Sequence, residues 1–224
     1  MLFRSGDQYV KLPSPSKALG MQRTGVRQSV PQGQDREQVK QIVDALYRHH
    51  QLRAAAIILL ARATGTRLRE AILADLPRLS REANGLGRIN IQDGTKGGRA
   101  GASASRWIAV DHHVQDALGF ARQVSPGGSA NLIAPDESYL NVLQEIIRPA
   151  RDVLHAHKLK GFHELRAAYA CERYEQITRH RAPINGGQCC QVDRNLDREA
   201  RRQISYELGH GRIDVVAAYI GGRP

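Results

Sequence analysis

Arginine, lysine, histidine and tyrosine stand in this sequence at positions that a folding core would not choose, and their types suit the handling of a phosphate group. In FHELR, His163 and Arg166 are three residues apart, which brings both side chains to one helix face. A guanidinium can bind two phosphate oxygens while an imidazole handles a proton. In TGTRLRE, Arg67 follows a helix break at Gly65 and opens a new helix, with Glu70 one turn on. Its guanidinium could project from that helix start toward an anion. In DGTKGGRAG, Lys96 sits in a Gly-flanked turn with no apolar neighbours. In ELGHGRIDVVAAY, His210 follows a glycine break and Tyr219 lies about two and a half helical turns further on.

Each feature also has an ordinary structural reading. Arg67 could form a surface ion pair with Glu70, Lys96 could be a solvated turn lysine, and the 163–166 pair could be a helix-end histidine with a snorkelling arginine. Tyr219 could simply pack.

The elements that must position these groups follow from periodicity. Asp35 and Gln38 make a weak capping box, and Val39, Ile42, Val43 and Leu46 then recur on one helix face. Leu52 to Ala63 is apolar nearly all round, which predicts a central helix. After Gly65 a helical pattern resumes at Leu68, Ala71 and Ile72 and runs until Pro77. The period then changes: Ile89 and Ile91 alternate with polar residues, and Trp107 to Val110 is another short strand-like run. Further helices are predicted over Val114 to Arg122, Tyr139 to Ile147, His163 to about Glu175, Asp197 to Leu208 and Ile213 to Ile220. Thr178 to Asp193 reads as a long polar loop. The class is mainly α with a small antiparallel β-sheet, α+β.

Residues 1–34 are rich in Ser, Gly, Pro, Gln and basic residues without a sustained period, and read as a flexible linker or arm. Residues 35–224 then form one domain with a proper core. A net charge of +11 and a pI near 10.1 favour a polyanionic partner, most often nucleic acid. The three cysteines, Cys171, Cys189 and Cys190, outline no disulfide framework, which suits a reducing cytosol. No apolar run approaches the roughly 18 residues of a membrane span, and the N-terminus lacks the apolar core of a secretion signal.

Weak singly, the motifs are specific as an ordered set. T-G-x-R-x-x-E, a lysine in a hairpin, H-x-L-R, and L-G-H followed nine residues later by Tyr resemble the constellation of the tyrosine recombinases, the phage integrase family, over roughly residues 36–220. The resemblance implies the catalytic-domain fold of that family and a site-specific recombinase that cleaves and rejoins double-stranded DNA through a 3′-phosphotyrosyl intermediate. It implies that Arg67 and Arg166 clamp the phosphate, that Glu70 braces the site, and that Lys96 protonates the leaving 5′ oxygen. His163 is then the base candidate, His210 a hydrogen-bond donor to the phosphate, and Tyr219 the nucleophile. Fixed cations supply the electrophilic help, so no cofactor or metal is implied. It further implies self-association as a tetramer on recombination sites, a role in integrating or excising a phage or mobile element, and a bacterial cytoplasmic, nucleoid-associated location.

The match has departures. Ala167 and Ala168 follow the H-x-L-R box where His-Thr is common, and the separation from Arg166 to His210 is long, the surplus falling in the Gly- and Cys-containing loop. Adjacent cysteines chelate a tetrahedral ion poorly, so no zinc site is expected there. Residues before Asp35 are not expected to supply the N-terminal core-binding domain usual in the family. Two other readings stand beside the recombinase: a type IB topoisomerase-like relaxation of DNA, and a catalytically idle DNA-binding module. Tyr219 is expected to be mobile in the free protein.

Overall fold

The computed structural model describes residues 2–5, 8–11, 19–20, 25–95 and 106–222. Its centre is α2, Leu52–Thr64, whose lack of a polar face leaves nowhere for it but the interior. Around it pack α1, Arg36–Arg48, α5, His112–Val124, and α8, Phe162–Thr178. Ile57 and Ile58 of α2 are fully buried, and each such side chain stabilises the fold by about 1.5–3 kcal/mol. In α1, Val39, Ile42 and Leu46 of the predicted stripe are buried and Val43 is half-buried against the core, and the helix is capped at Asp35 by a hydrogen bond from the Glu37 amide.

α3 is short, Leu68–Ile72, and is followed by α4, Leu76–Leu86. The sequence pattern stops at Pro77, but proline sits comfortably in a first turn, where its missing N–H has no helical partner to lose. Asp75 caps α4 by accepting from the Arg78 amide at 3.0 Å. The strand β3, Arg88–Asn90, pairs antiparallel with β4, Trp107–Ala109, with Ile89 opposite Ile108. A second two-stranded ribbon, β1 at Leu2–Ser5 with β2 at Gln8–Lys11, lies in the segment where the sequence shows no period. Their apolar residues stand side by side, Leu2 with Phe3 and Tyr9 with Val10, so neither strand alternates.

Tyr139–Asn141, α6, runs through a π-helical stretch at Val142–Ile147 into α7, Arg148–Ala156. Pro149 cannot donate a helical hydrogen bond, and the wider winding immediately precedes it. Between α8 and α9, Arg194–Glu207, the segment read as loop contains 3-10 turns at Pro183–Asn185 and Cys189–Gln191. The single terminal helix expected over 213–220 is instead a 3-10 turn, Asp214–Val216, followed by the four-residue α10, Ala217–Ile220. α10 rests on α8.

Residues 25–34, which the sequence assigns to the arm, lie against the domain. Buried Arg62 of α2 donates to the Gly33 and Gln34 carbonyls and pairs with Glu172 at 2.6 Å, and Arg36 grips the same carboxylate. Further along, the Arg27 amide donates to the Ala217 carbonyl at 2.9 Å, and its guanidinium pairs with Glu164 at 2.5 Å. The strap therefore touches both α8 and α10. Among the described residues no helix is long and apolar enough to cross a membrane.

Candidate active site

α8 is the element on which the site is built. Its sequence has apolar or small residues on most faces, and Leu165, Ala167, Ala168 and Ala170 are fully buried. Arg166 goes inward with them and is only 1% exposed, while His163, one turn earlier, stays at the exposed rim.

A buried guanidinium is tolerable only if its donors are met. Arg166 Nη1 donates to the Gly65 carbonyl, Nη2 to the Leu208 carbonyl, and Nε to the Tyr219 hydroxyl at 3.4 Å. Nη2 also lies 3.3 Å from His210 Nε2. Burial and the nearby Arg106 charge bring the Arg166 pKa down to about 10, so it remains a cation at neutral pH. Gly65 can serve this carbonyl because it ends α2 at φ +63, and because a Cβ there would lie 2.4 Å from the Tyr169 ring. The glycine of the T-G-x-R motif thus has two physical reasons.

Arg67 leads into α3, its guanidinium one third exposed. Glu70, with no exposed side-chain surface, accepts from the Arg67 backbone amide at 2.7 Å and pairs with Arg67 Nη1 at 2.6 Å. Burial alone would raise the Glu70 pKa, but the charge and hydrogen bond of Arg106, the Arg67 amide and the Arg166 charge bring it below the usual carboxylate value.

His210 and Tyr219 arrive from the C-terminal segment. Ser205 accepts the His210 amide through its carbonyl at 2.9 Å, and Gly209 makes the turn at φ +64. His210 Nε2 is 2.8 Å from the Tyr219 hydroxyl, either atom donating according to the imidazole tautomer. The His163 ring centre is 5.4 Å from that of Tyr219, a ring contact and not a hydrogen bond. Desolvation and then the Arg166, Arg67 and Arg106 charges push the His210 pKa down to about 4, leaving a neutral imidazole. His163 is also held below its ordinary value, by desolvation and by Arg166 and Arg27.

The structure therefore brings Arg67, Glu70, His163, Arg166, His210 and Tyr219 into one neighbourhood. Lys96 lies outside the described residues. Against the expectation of a mobile side chain, Tyr219 is 4% exposed and its hydroxyl has two cationic or imidazole partners. Arg106, missed from the sequence, also belongs to the site: it is 4% exposed, and Nη1 lies 2.8 Å from Glu70 Oε2. The only local signal for it is a charge set directly before the apolar run at Trp107.

What such a cluster can do chemically is stabilise negative charge on an oxygen brought beside fixed donors in a dry site. A family model described as Integrase matches residues 25–172, more than half of the chain. The matched stretch includes Arg67, Glu70, Arg106, His163 and Arg166 and stops before His210 and Tyr219. No curated protein and no solved structure matches the chain.

Proposed function

The chain belongs to the integrase family, a DNA integrase or recombinase in general terms, and on that premise we propose that it works through a 3′-phosphotyrosyl intermediate with Tyr219 as nucleophile. The observation that carries this reading is the convergence of Arg166 Nε and His210 Nε2 on the Tyr219 hydroxyl. A buried tyrosine that only packs still needs a partner for its hydroxyl, and Tyr169 and Tyr174 find one in a carboxylate; Tyr219 instead meets a guanidinium and an imidazole, groups that favour a phenolate. Double-stranded DNA is the substrate, which the charge of +11 attracts.

In the resting protein the Tyr219 hydroxyl occupies the donors that a phosphate would use. DNA binding hands those donors to the non-bridging oxygens of the scissile phosphate, with Arg67 closing from the more exposed side. Freed from them, the phenol gives its proton to His163 and its oxygen forms the bond to phosphorus. The bond to the 5′ oxygen breaks, and Lys96 supplies that oxygen's proton. A 5′-hydroxyl from a second strand reverses the steps, so strand exchange needs no external energy. Assembly as a tetramer on recombination sites, in the service of a phage or mobile element, completes the proposal.

The test needs no knowledge of the target site. Incubate the protein with duplexes carrying a nick across a randomised sequence and resolve covalent protein–DNA adducts on a denaturing gel. The wild type should form an adduct and Tyr219→Phe none; equal adduct from both would assign the nucleophile elsewhere.

A further inference from the structure

Arg106 follows directly on the 96–105 segment, and its backbone is pinned at the end of the β3–β4 ribbon. Its amide donates to Asn90 Oδ1 at 3.0 Å, and its carbonyl accepts from the Ile91 amide at 3.0 Å. From there the side chain runs inward under Gly209, where an added Cβ would lie 3.1 Å from Arg106 Cδ. Nε donates to the Glu207 carbonyl at 2.6 Å, Nη1 pairs with Glu70, and Nη2 has no hydrogen-bond partner among the described residues. One side chain thus spans two parts of the site. Glu70 holds Arg67, and the Glu207 carbonyl lies one residue before Leu208, whose own carbonyl takes Arg166 Nη2.

Charge counting separates this residue from an ordinary buried ion pair. Glu70 is a single carboxylate among three guanidiniums, Arg67 at 2.6 Å, Arg106 at 2.8 Å and Arg166 at 3.9 Å. Two of the three positive charges have no anion to balance them within this group. Stability alone does not call for a third buried cation, because an ion pair in the interior does little better than apolar packing. A pocket that must receive an anion does gain from it.

We infer that Arg106 is a positioning residue, which through Glu70 and the Glu207 carbonyl holds the clamp arginine Arg67 and the 208–210 turn in register on either side of the reacting group. This rests on the phosphotyrosyl reading for its effect on cleavage, but not for its effect on the free protein. Arg106 acts from behind the site, and its charge also reaches His210, which faces Arg166, Tyr219, Arg67 and Glu70 as well.

The experiment compares wild type, Arg106→Met, Arg106→Lys, Glu70→Gln and the Arg106→Met/Glu70→Gln double variant, with two readouts. The first is the single-turnover rate of adduct formation on the nicked duplexes at saturating DNA, alongside DNA affinity. Arg106→Met should slow adduct formation about 100-fold with affinity within about threefold, and Arg106→Lys should recover part of the loss. The double variant should be no slower than the worse single one, because both act through one contact. Additive losses, or weaker DNA binding at an unchanged rate, would overturn the inference in favour of a direct phosphate contact. The second readout is the His210 imidazole titration followed by NMR in the free protein, which must move upward in Arg106→Met. Should neither wild type nor any variant form a Tyr219-dependent adduct, the cleavage reading fails, and the positioning role stands if the Leu208–Gly211 amide resonances shift in the charge-retaining Arg106→Lys as well as in Arg106→Met and fails if they do not. An unchanged His210 titration in a folded Arg106→Met protein defeats the positioning role whatever the adducts show. If Arg106→Met does not fold, Arg106→Lys carries the adduct readout with the same sign, since its shorter reach cannot span Glu70 and Glu207 together, and Arg106→Gln, which removes the charge, carries the His210 titration.

Discussion

Arg166 sits on a seventeen-residue helix and sends its donors to Gly65, Leu208 and Tyr219, while Tyr219 sits on a helix of four residues. α8 owes its shape to its own hydrogen-bond ladder and a buried face. α10 is too short to hold itself and depends on borrowed contacts: Val216 and Ile220 in the core, Arg201 donating to the Gly221 carbonyl at 3.2 Å, and the Arg27 amide on Ala217. The half that would bind phosphate is preorganised, and the half that would react with it is tethered. Such a division suits chemistry in which one oxygen must leave a set of donors as another arrives.

The comparison can be broken hardest at Arg166. Arg166→Ala would strand the Gly65 and Leu208 carbonyls and leave Glu70 with one cation fewer. It should cost about 3 kcal/mol in urea unfolding and reduce adduct formation about a thousandfold or more. Gly65→Ala strikes the same half without touching a charge. A left-handed backbone and the contact with Tyr169 should together cost about 2–3 kcal/mol, read as a lowered melting temperature.

His210 joins the two halves, and pH tests that joint. Its folded pKa of about 4 lies below the ordinary value of 6.5, so the unfolded chain binds more protons between those values. The stability this contributes is complete above pH 6.5 and is lost as pH falls toward about 4. Between pH 7 and pH 5 the loss should be about 1 kcal/mol after allowance for partial exposure, and it should vanish in His210→Gln. The smallest effect is expected at the tether. Arg27→Ala keeps the amide that reaches Ala217 but frees the strap from Glu164 in the first turn of α8; it should cost about 0.5–1 kcal/mol overall, accelerate amide exchange in Ala217–Ile220 as the strap loosens, and leave α8 from Leu165 onward unchanged.

How much of this was legible in the sequence depends on the range of the interactions. α1 was readable because its apolar residues repeat on one face, and α2 because its residues are apolar nearly all round. α4 was not, because a proline ends a helical pattern as readily as it begins one, and here Asp75 and the first-turn Pro77 make a beginning. His163 and Arg166 could be placed on one helix by spacing, but not which of them would be buried, since Arg166 is drawn inward by carbonyls at Gly65 and Leu208, far away in the chain. Arg106 escaped notice for the same reason: its partners, Glu70 and Glu207, lie on either side of it at long range, and no local period announces them. The burial of Tyr219 likewise follows from the groups that meet it, not from its own helix.

The bond from the Arg27 amide to the Ala217 carbonyl has a consequence in time as well as in space. Its two ends lie nearly the whole described chain apart, and contacts of that separation form only after the intervening chain has collapsed, because a long loop must be closed first. Tyr219 meets His210 and Arg166 across only 9 and 53 residues, so α10 can reach α8 before this bond closes. The strap bond is therefore expected among the last contacts to be completed during folding, so that a chain can have Tyr219 buried against Arg166 and still lack the strap over α10.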